Sequence, residues 1–130
     1  MDLSAKTKIV SKLGVATEVD GYTIISEPSV AKGGSLDHPT PVRLFIASLL
    51  NCTLMTVKSF CSAREIPTEG LELDFKGELE EEIYKDMEII MTLPKGFPEK
   101  YRNSISDIAA TCTVKKLIKN LPEIRFSVKS

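Results

Sequence analysis

The chain has 130 residues, 42% of them hydrophobic, with 17 lysines and arginines against 18 aspartates and glutamates and a net charge of -1. This length fits a single domain, residues 1–130, and the hydrophobic content is enough to form a core without disulfide or metal support. The balanced charge argues against nucleic-acid binding, which normally requires a basic face. Three cysteines and an N-terminus without a secretory signal predict free thiols in a reducing compartment, the cytoplasm.

The first third of the chain predicts short strands joined by tight turns. Apolar residues stand among polar neighbours, and Asp20-Gly21 is a strong hairpin signal because glycine tolerates a positive φ. A loop with Gly33-Gly34 follows and contains His38, the single histidine of the chain. Because His38 stands in a proline-rich loop and the chain lacks a Cys-x-x-Cys motif, we expect it to cap a helix or to be exposed, and we predict no metal site.

A long helix is predicted after this loop. Thr40 is a good N-cap, and Pro41 suits the first helical position, where an N–H has no intrahelical partner. The pattern continues without glycine or proline to about Arg64. The stretch from Leu44 to Val57 is apolar or small on nearly every face, which predicts burial by a sheet on one side and a second subunit on another. Its 14 residues are fewer than the roughly 20 needed to span a bilayer, so no membrane association is expected.

Two strands are predicted in the middle of the chain. Apolar residues alternate with charged ones from Leu71 to Phe75, and apolar residues recur at every second position from Met87 to Leu93. A period of two over this length is typical of half-buried antiparallel strands. The acidic residues between these segments are expected to hold the end of the first strand and the turn.

Two helices and a last strand complete the predicted order. One helix opens at Pro98, and a second short amphipathic helix follows from Thr113. Alternating apolar residues then predict a final strand at Ile124, Phe126 and Val128. The expected fold class is therefore α+β, in the order β-β-β-α-β-β-α-α-β.

Cys52 lies in the middle of the long helix, and two interpretations of it stay open. It can be a small hydrophobe that fills the core, because free cysteine is among the most buried residue types. It can also be a reactive thiol, although the residues one turn away, Ser48 and Thr56, are neutral. Cys61 stands nine residues later, about 180° round the helix, and is predicted to be structural.

Cys112 is better placed for activation by its local sequence. If Thr111 caps the short helix, Cys112 lies in its first turn, where the helix dipole and free N–H groups favour a thiolate. Lys115 and Lys116 would add positive potential there. Any chemistry of this chain is therefore predicted to rest on Cys52 and Cys112.

Three segments of the sequence together carry a resemblance to a known family. They are the Gly33-Gly34 loop, the helix opening PVRLF at 41–45 that leads to Cys52, and the triplet CTV that begins at Cys112, 60 residues further on. In these features the chain resembles the OsmC/Ohr family, the osmotically inducible and organic hydroperoxide resistance proteins. Members of that family show a glycine-rich loop, a Pro-x-x-Leu helix opening onto a cysteine, and a Cys-Pro-Val motif roughly sixty residues later.

The resemblance implies an OsmC-like fold in an intertwined homodimer, with two long helices packed together between antiparallel sheets. It also implies a thiol peroxidase that takes organic hydroperoxides into an apolar pocket at the dimer interface. Cys52 would be the peroxidatic cysteine, and Cys112 would be the resolving cysteine that captures its sulfenic acid as an intramolecular disulfide. No cofactor is implied, and a dithiol such as a lipoyl protein would be the reductant.

Two departures from the family pattern leave other functions open. Family peroxidases carry an N-terminal arginine paired with a glutamate just after the helix-opening proline. Here no arginine precedes Arg43, Val42 and Arg43 occupy the expected glutamate positions, and Cys-Pro-Val has become Cys-Thr-Val. The alternatives are an OsmC-like protein without peroxidase activity that binds a small apolar or thiol ligand at the dimer interface, and a purely structural or regulatory protein.

Overall fold

The computed structural model describes residues 1–80 and 83–130, so part of the acidic run, Glu81 and Glu82, lies outside the described residues. The chain divides into two compact units, Met1–Ala47 and Ser48–Ser130. In the described ranges, five strands, a short 3-10 helix and four α-helices follow one another. Antiparallel strand pairs and one long helix confirm the predicted α+β class. A single domain over residues 1–130 stays a prediction.

The N-terminal unit contains a three-stranded antiparallel sheet. Its strands are β1 (Ala5–Ile9), β2 (Val15–Val19) and β3 (Tyr22–Ser26), with β2 in the centre. Asp20 and Gly21 connect β2 to β3 with φ values of 49° and 81°. Two consecutive positive φ values match a tight hairpin turn, so the hairpin predicted from the Asp-Gly pair is confirmed.

The glycine pair lies in the loop that follows β3. A 3-10 helix at Val30–Lys32 ends at Gly33, whose φ of 98° is left-handed. A Cβ atom on Gly34 would overlap the carbonyl oxygen of Pro28. Both positions therefore require glycine for the backbone path of this loop.

Helix α1 (Pro41–Ala63) is the long helix that the sequence predicts. The backbone N–H of Arg43 donates to Thr40 Oγ1 at 3.3 Å, which confirms Thr40 as the N-cap. By length and composition alone, α1 could also cross a membrane. In the C-terminal unit it instead has the buried stripe of a core helix. The buried residues of that stripe are Leu49, Thr53, Val57 and Cys61.

Within the chain itself α1 is buried along one stripe, which leaves the predicted burial of its other faces to a second subunit. Asn51, Met55 and Lys58 on the same helix are exposed, and Met55 retains 66% of its surface. Apolar residues on every face permit burial all round, but the elements of the C-terminal unit cover only one face of this helix. Covering of the other face by a second subunit stays a prediction.

The C-terminal unit contains a two-stranded antiparallel sheet of β4 (Glu72–Glu80) and β5 (Ile83–Thr92). Leu73 stands opposite Met91, and Phe75 stands opposite Ile89. The period-two alternation of both segments is thus confirmed as strand structure.

The core of this unit forms between α1, the sheet and the short helices. Four buried residues make its centre: Val57, Cys61, Ile66 and Ile105. Partly buried residues pack around them: Phe60, Leu71, Met91, Leu93, Phe97, Tyr101, Ile108 and Ala109.

Three short helices complete the unit: α2 (Glu99–Arg102), α3 (Ile105–Ala109) and α4 (Thr113–Lys119). The sequence predicts one helix where α2 and α3 stand. The backbone N–H and the hydroxyl of Ser104 both donate to the carbonyl oxygen of Tyr101 at 3.2 Å. This tight turn ends α2, because serine offers the backbone an alternative to the regular helical pattern.

The predicted final strand is not a strand in the structure. After Asn120 the chain has neither helix nor strand, and Ile124, Phe126 and Val128 are exposed. An alternating pattern makes a segment suitable for a sheet, but a strand also needs a neighbouring backbone to which it can hydrogen-bond. This segment pairs with none of β1–β5.

Candidate functional site

The two cysteines singled out by the sequence lie next to each other in the C-terminal unit. Cys52 is on α1 and Cys112 is at the start of α4, where the backbone N–H groups of the consecutive residues Val114 and Lys115 donate to the two sulfur atoms. Cys52 is partly exposed, whereas Cys112 is 1% exposed, and both are free thiols. The fold therefore brings together two thiols that are 60 positions apart in the sequence.

Cys112 is itself the N-cap of α4, which corrects the prediction that Thr111 caps this helix. The backbone of Cys112 is extended, with φ -61° and ψ 151°, and its Sγ accepts a hydrogen bond from the backbone N–H of Lys115 at 3.3 Å. Thr111 points backward instead, since its hydroxyl donates to the carbonyl oxygen of Ile108 at 2.7 Å. A sulfur atom thus stands where the oxygen of serine or threonine more often caps a helix.

Cys52 also receives a hydrogen bond from the start of α4. Its Sγ accepts from the backbone N–H of Val114 at 3.4 Å. The first turn of a helix has N–H groups without intrahelical partners. In α4, two of these groups point at sulfur: that of Val114 at Cys52 and that of Lys115 at Cys112.

The pKa of Cys112 is lowered from the ordinary value of a cysteine. Burial alone would raise it, but hydrogen bonds act in the opposite direction and outweigh burial. They come, in order of size, from the backbone N–H of Lys115, the hydroxyl of Thr53, the thiol of Cys52 and the backbone N–H of Val114. Lysine ammonium groups are not among the causes, so hydrogen bonds rather than lysine charges favour the thiolate.

Thr53 is a site residue that the sequence reasoning missed. It is 5% exposed, its hydroxyl donates to the carbonyl oxygen of Leu49 at 2.7 Å, and its Oγ1 lies 3.7 Å from Cys112 Sγ. A signal for it was present in the sequence, because a hydroxyl group in the middle of a buried apolar helix needs a partner. Because Thr53 follows Cys52 directly in the sequence, a hydrogen-bond partner of its hydroxyl could be expected close to the thiols.

A cavity of about 490 Å³ opens in the C-terminal unit next to residues that contact Cys112, although neither Cys52 nor Cys112 lines it. Its wall includes Thr53 and Lys115, the two residues whose hydroxyl and backbone N–H contact Cys112. Its two charged lining residues, Arg102 and Lys115, are both cationic. Such a cavity suits an apolar molecule with a polar or anionic end. The apolar lining comprises Leu49, Met87, Ile89, Met91, Leu93, Ile105, Ala109 and Ala110.

Cys61 has the surroundings predicted for a structural cysteine. It is 0% exposed and belongs to the apolar core cluster. Burial raises its pKa, and the positive charge of Arg64 offsets only part of that effect.

His38 and Arg43 belong to the N-terminal unit. The Arg43 side chain donates to Thr40 Oγ1 at 3.4 Å, on its own helix turn. The pKa of Glu27 is lowered mainly because the hydroxyl and backbone N–H of Ser35 donate to its carboxylate, with a smaller contribution from His38. Among residues 1–80 and 83–130, no group of three or more histidine, cysteine, aspartate or glutamate side chains is arranged to hold a metal ion.

The sequence of the chain matches the model of a known protein family. A sequence model of the family described as OsmC-like protein matches residues 32–127. None of the curated proteins compared with the chain matches it.

Several solved structures share the fold. A protein from Psychrobacter arcticus, proposed to be induced by osmotic stress and to act in the detoxification response, is 20% identical, with a TM-score of 0.74 over 86% of this chain and 85% of that one. An OsmC-like protein from Mycoplasma pneumoniae is 11% identical, with a TM-score of 0.74 over 93% of this chain and 89% of that one. A hypothetical protein from Aquifex aeolicus is 15% identical, with a TM-score of 0.73 over 93% and 89% of the two chains. At these identities the likeness establishes the fold alone.

Proposed function

Because the chain belongs to the OsmC-like family, which includes stress-response and peroxidase-type proteins, we propose that it is a thiol peroxidase that reduces organic hydroperoxides. The observation that carries this proposal is that Cys52 and Cys112 lie near each other at the first turn of α4. Each of the two sulfur atoms also accepts a backbone N–H from the first turn of α4. Two adjacent thiols with hydrogen-bond donors form the arrangement that a peroxidatic and a resolving cysteine require.

Exposure supports the division of roles between the two cysteines. The thiolate of Cys52, the more accessible residue, attacks an oxygen atom of the hydroperoxide. The O–O bond breaks, the terminal OH passes to sulfur so that Cys52 becomes a sulfenic acid, and the leaving alkoxide takes the proton that the Cys52 thiol had lost and departs as the alcohol. Cys112, buried beside it, attacks the sulfur of Cys52, so that a disulfide forms and water is released. A dithiol such as a lipoyl protein then reduces this disulfide and is itself oxidised to a disulfide.

A backbone donor stands beside Cys52 in a chain that has no arginine before Arg43. The N–H of Val114 lies 3.4 Å from Cys52 Sγ and comes from the positive end of α4. We assign to this group the stabilisation of negative charge on Cys52 during attack. The apolar cavity next to residues that contact Cys112 supports an organic hydroperoxide as the substrate, because an apolar lining favours alkyl chains over hydrogen peroxide.

The protein is further proposed to act as a homodimer in the cytoplasm. OsmC-family proteins are often dimers. Exposed apolar side chains in the C-terminal unit give a second copy surface to bury: Met55 at 66%, Phe126 at 92% and Val128 at 99% exposure. Light scattering after size exclusion should give twice the chain mass of 14.3 kDa, and a value of one chain mass would contradict the dimer.

The peroxidase is tested by the intact mass of the reduced protein after one equivalent of cumene hydroperoxide, without reductant, followed by peptide mapping. We expect the loss of two hydrogens and a disulfide between Cys52 and Cys112. Cys61→Ala is the matched control, since a structural thiol can be removed without loss of the disulfide. Cys52→Ser should abolish turnover. An unchanged wild-type mass after minutes, or full turnover by Cys52→Ser, would contradict the assignment.

A second candidate function is binding of a small apolar ligand without turnover. The cavity favours it, because Arg102 and Lys115 provide cationic groups at an apolar site. If ligand binding is the function, the reduced protein should bind the apolar sulfonate 8-anilinonaphthalene-1-sulfonate, and Arg102→Gln should weaken that binding several-fold. Arg125→Gln, in the segment after α4, is the charge-matched control. Equal binding by the two variants would contradict a role for the cavity.

A further inference from the structure

The Thr53 hydroxyl has two neighbours but only one proton. A threonine hydroxyl donates once and can accept through its lone pairs, whereas a carbonyl oxygen can only accept. The carbonyl oxygen of Leu49, at 2.7 Å, therefore takes the Thr53 proton in the reduced protein. Toward Cys112, at 3.7 Å, Thr53 Oγ1 then presents a lone pair, and the Cys112 S–H is the donor of that contact.

This arrangement holds only while Cys112 keeps its proton. A thiolate can accept hydrogen bonds but cannot donate one, so it would face the lone pair of Thr53 Oγ1. Rotation of the hydroxyl from Leu49 toward Cys112 replaces that repulsion with a charge-assisted hydrogen bond, which is roughly twice as strong as a neutral one. The carbonyl oxygen of Leu49 keeps the backbone N–H of Thr53 as its helical partner, so the rotation leaves no buried acceptor without a donor.

We propose that Thr53 is a positioning residue whose hydroxyl moves its hydrogen bond from Leu49 to Cys112 when Cys112 loses its proton. This role rests on the peroxidase proposed above and concerns its second step. There the sulfenic acid of Cys52 and the thiol of Cys112 give one disulfide and one water, and the proton of Cys112 leaves with the sulfenic oxygen. At rest Thr53 accepts from the Cys112 thiol, and during the attack on Cys52 it donates to the thiolate.

The surroundings of Cys112 leave few other groups to perform this task. The hydrogen bonds that lower the pKa of Cys112 come from the neutral hydroxyl of Thr53, two backbone N–H groups of α4 and the Cys52 thiol. Of these groups, the Cys52 thiol is the one that can titrate. The other titratable groups nearest in sequence, Asp107 on α3 and the lysines of α4, contribute no charge effect to its pKa. The lowered pKa of Cys112 agrees with hydrogen-bond control by these donors.

The first test measures the pKa of Cys112 in the reduced protein without peroxide. Cysteine labelled with ¹³C at Cβ reports ionisation by NMR whether or not the thiol is accessible. Thr53→Val, which replaces the hydroxyl by a methyl group, should raise the pKa of Cys112 by about one, the size expected for one hydrogen bond to a charged group. Thr53→Ser should leave it unchanged. Thr56→Val is the matched control, since the Thr56 hydroxyl donates to the carbonyl oxygen of Cys52 at 2.9 Å, one turn further along α1.

The second test measures how fast the sulfenic acid of Cys52 becomes a disulfide at neutral pH, with dimedone as the trap for the sulfenic acid. Thr53→Val should slow this step roughly tenfold, in line with the pKa change, while Thr53→Ser and Thr56→Val should not slow it.

An unchanged pKa of Cys112 in Thr53→Val, or an equal change in Thr53→Ser, would overturn the role of Thr53. If Thr53→Val does not fold, as judged by circular dichroism, Thr53→Ala takes its place in both measurements. A wild-type protein that never forms the disulfide would overturn the peroxidase and the attack step, whereas the pKa measurement in the reduced protein still decides the hydrogen-bond switch.

Discussion

Cys61 and Cys112 are both buried, with 0% and 1% of their surface exposed, yet their pKa values move in opposite directions. Cys61 lies in an apolar cluster, where the loss of hydration disfavours a charged sulfur. Cys112 loses hydration as well, but the backbone N–H of Lys115 donates to its sulfur, and the Thr53 hydroxyl, 3.7 Å away, can donate to it once the thiol is ionised. The donors aimed at a buried thiol, rather than its depth, therefore decide its ionisation.

The two regions also differ in what their side chains contribute to the protein. Around Cys61 the contacts are apolar and stabilise the fold through burial, with Phe60 and Tyr101 in edge-to-face contact at 5.3 Å between ring centres. Around Cys112 the contacts are hydrogen bonds from a helix start, and they act on one sulfur atom. Substitutions in the first region should change stability, and substitutions in the second should change thiol chemistry.

The largest expected effect is in the core around Cys61. Ile105→Ala removes a side chain that is 5% exposed, so the free energy of unfolding should fall by about 2–5 kcal/mol. Leu117→Ala, on α4 and 52% exposed, is the control from the second region and should lower it by about 1 kcal/mol or less. Urea denaturation of the reduced proteins measures both values. Equal losses would break the distinction between the two regions.

A smaller effect is expected from pH, with opposite signs for the two thiols. The raised pKa of Cys61 means that the unfolded chain ionises first, so its contribution to stability is complete below the pKa of an unfolded cysteine, about 8.5, and is lost as pH rises. The lowered pKa of Cys112 has the opposite effect: its contribution to stability is present above the pKa of an unfolded cysteine and is lost as pH falls through the pKa of Cys112 in the folded protein.

Replacement of each thiol separates these two contributions. Between pH 7 and about 10, the free energy of unfolding of Cys61→Ala should fall less steeply with rising pH than that of the wild type. The free energy of unfolding of Cys112→Ala should fall more steeply. Urea denaturation with reductant at each pH gives the slopes. Identical slopes for the two variants would show that their surroundings do not control ionisation.

The smallest expected change in the free energy of unfolding comes from a substitution at the start of α4. Thr113 is its first helical residue, and Cys112 before it has φ -61° and ψ 151°, a conformation that a following proline accepts. Thr113→Pro, which creates Cys-Pro-Val, should therefore raise the free energy of unfolding by about 0.4–1 kcal/mol and keep the thiol contacts.

Lys116→Pro is the control for that substitution. The N–H of Lys116 donates to the carbonyl oxygen of Cys112 at 3.0 Å, so its removal should destabilise the protein by about 3 kcal/mol. Thermal denaturation compares the two proline variants. Destabilisation by Thr113→Pro would mean that the first turn of α4 does not tolerate proline.

The features that the sequence predicted correctly depend on nearby residues. Asp20-Gly21 specifies its hairpin through two positive φ values, and Thr40 specifies the start of α1 through one side-chain hydrogen bond. The period-two alternation of β4 and β5 is equally local, because each residue's face follows from its position in the strand.

The features that the sequence did not predict depend on distant contacts or on an uncommon choice of atom. The segment with Phe126 has a strand pattern, but no strand of the described chain pairs with it. Thr53 reaches Cys112 across 59 positions, which local patterns do not show. Thr111 was the expected cap because oxygen caps are preferred, yet the sulfur of Cys112 takes that position.

A helix that begins on a sulfur atom connects secondary structure to redox state. The amide hydrogens of Val114 and Lys115 are bonded to the two sulfur atoms that a disulfide would join. A disulfide sulfur is a poorer acceptor than a thiolate, so we expect conversion of the ionised pair to a disulfide to weaken the hydrogen bonds of these amides and to loosen the beginning of α4. By thermodynamic linkage the reverse also holds: whatever steadies the first turn of α4 biases the protein toward its reduced form.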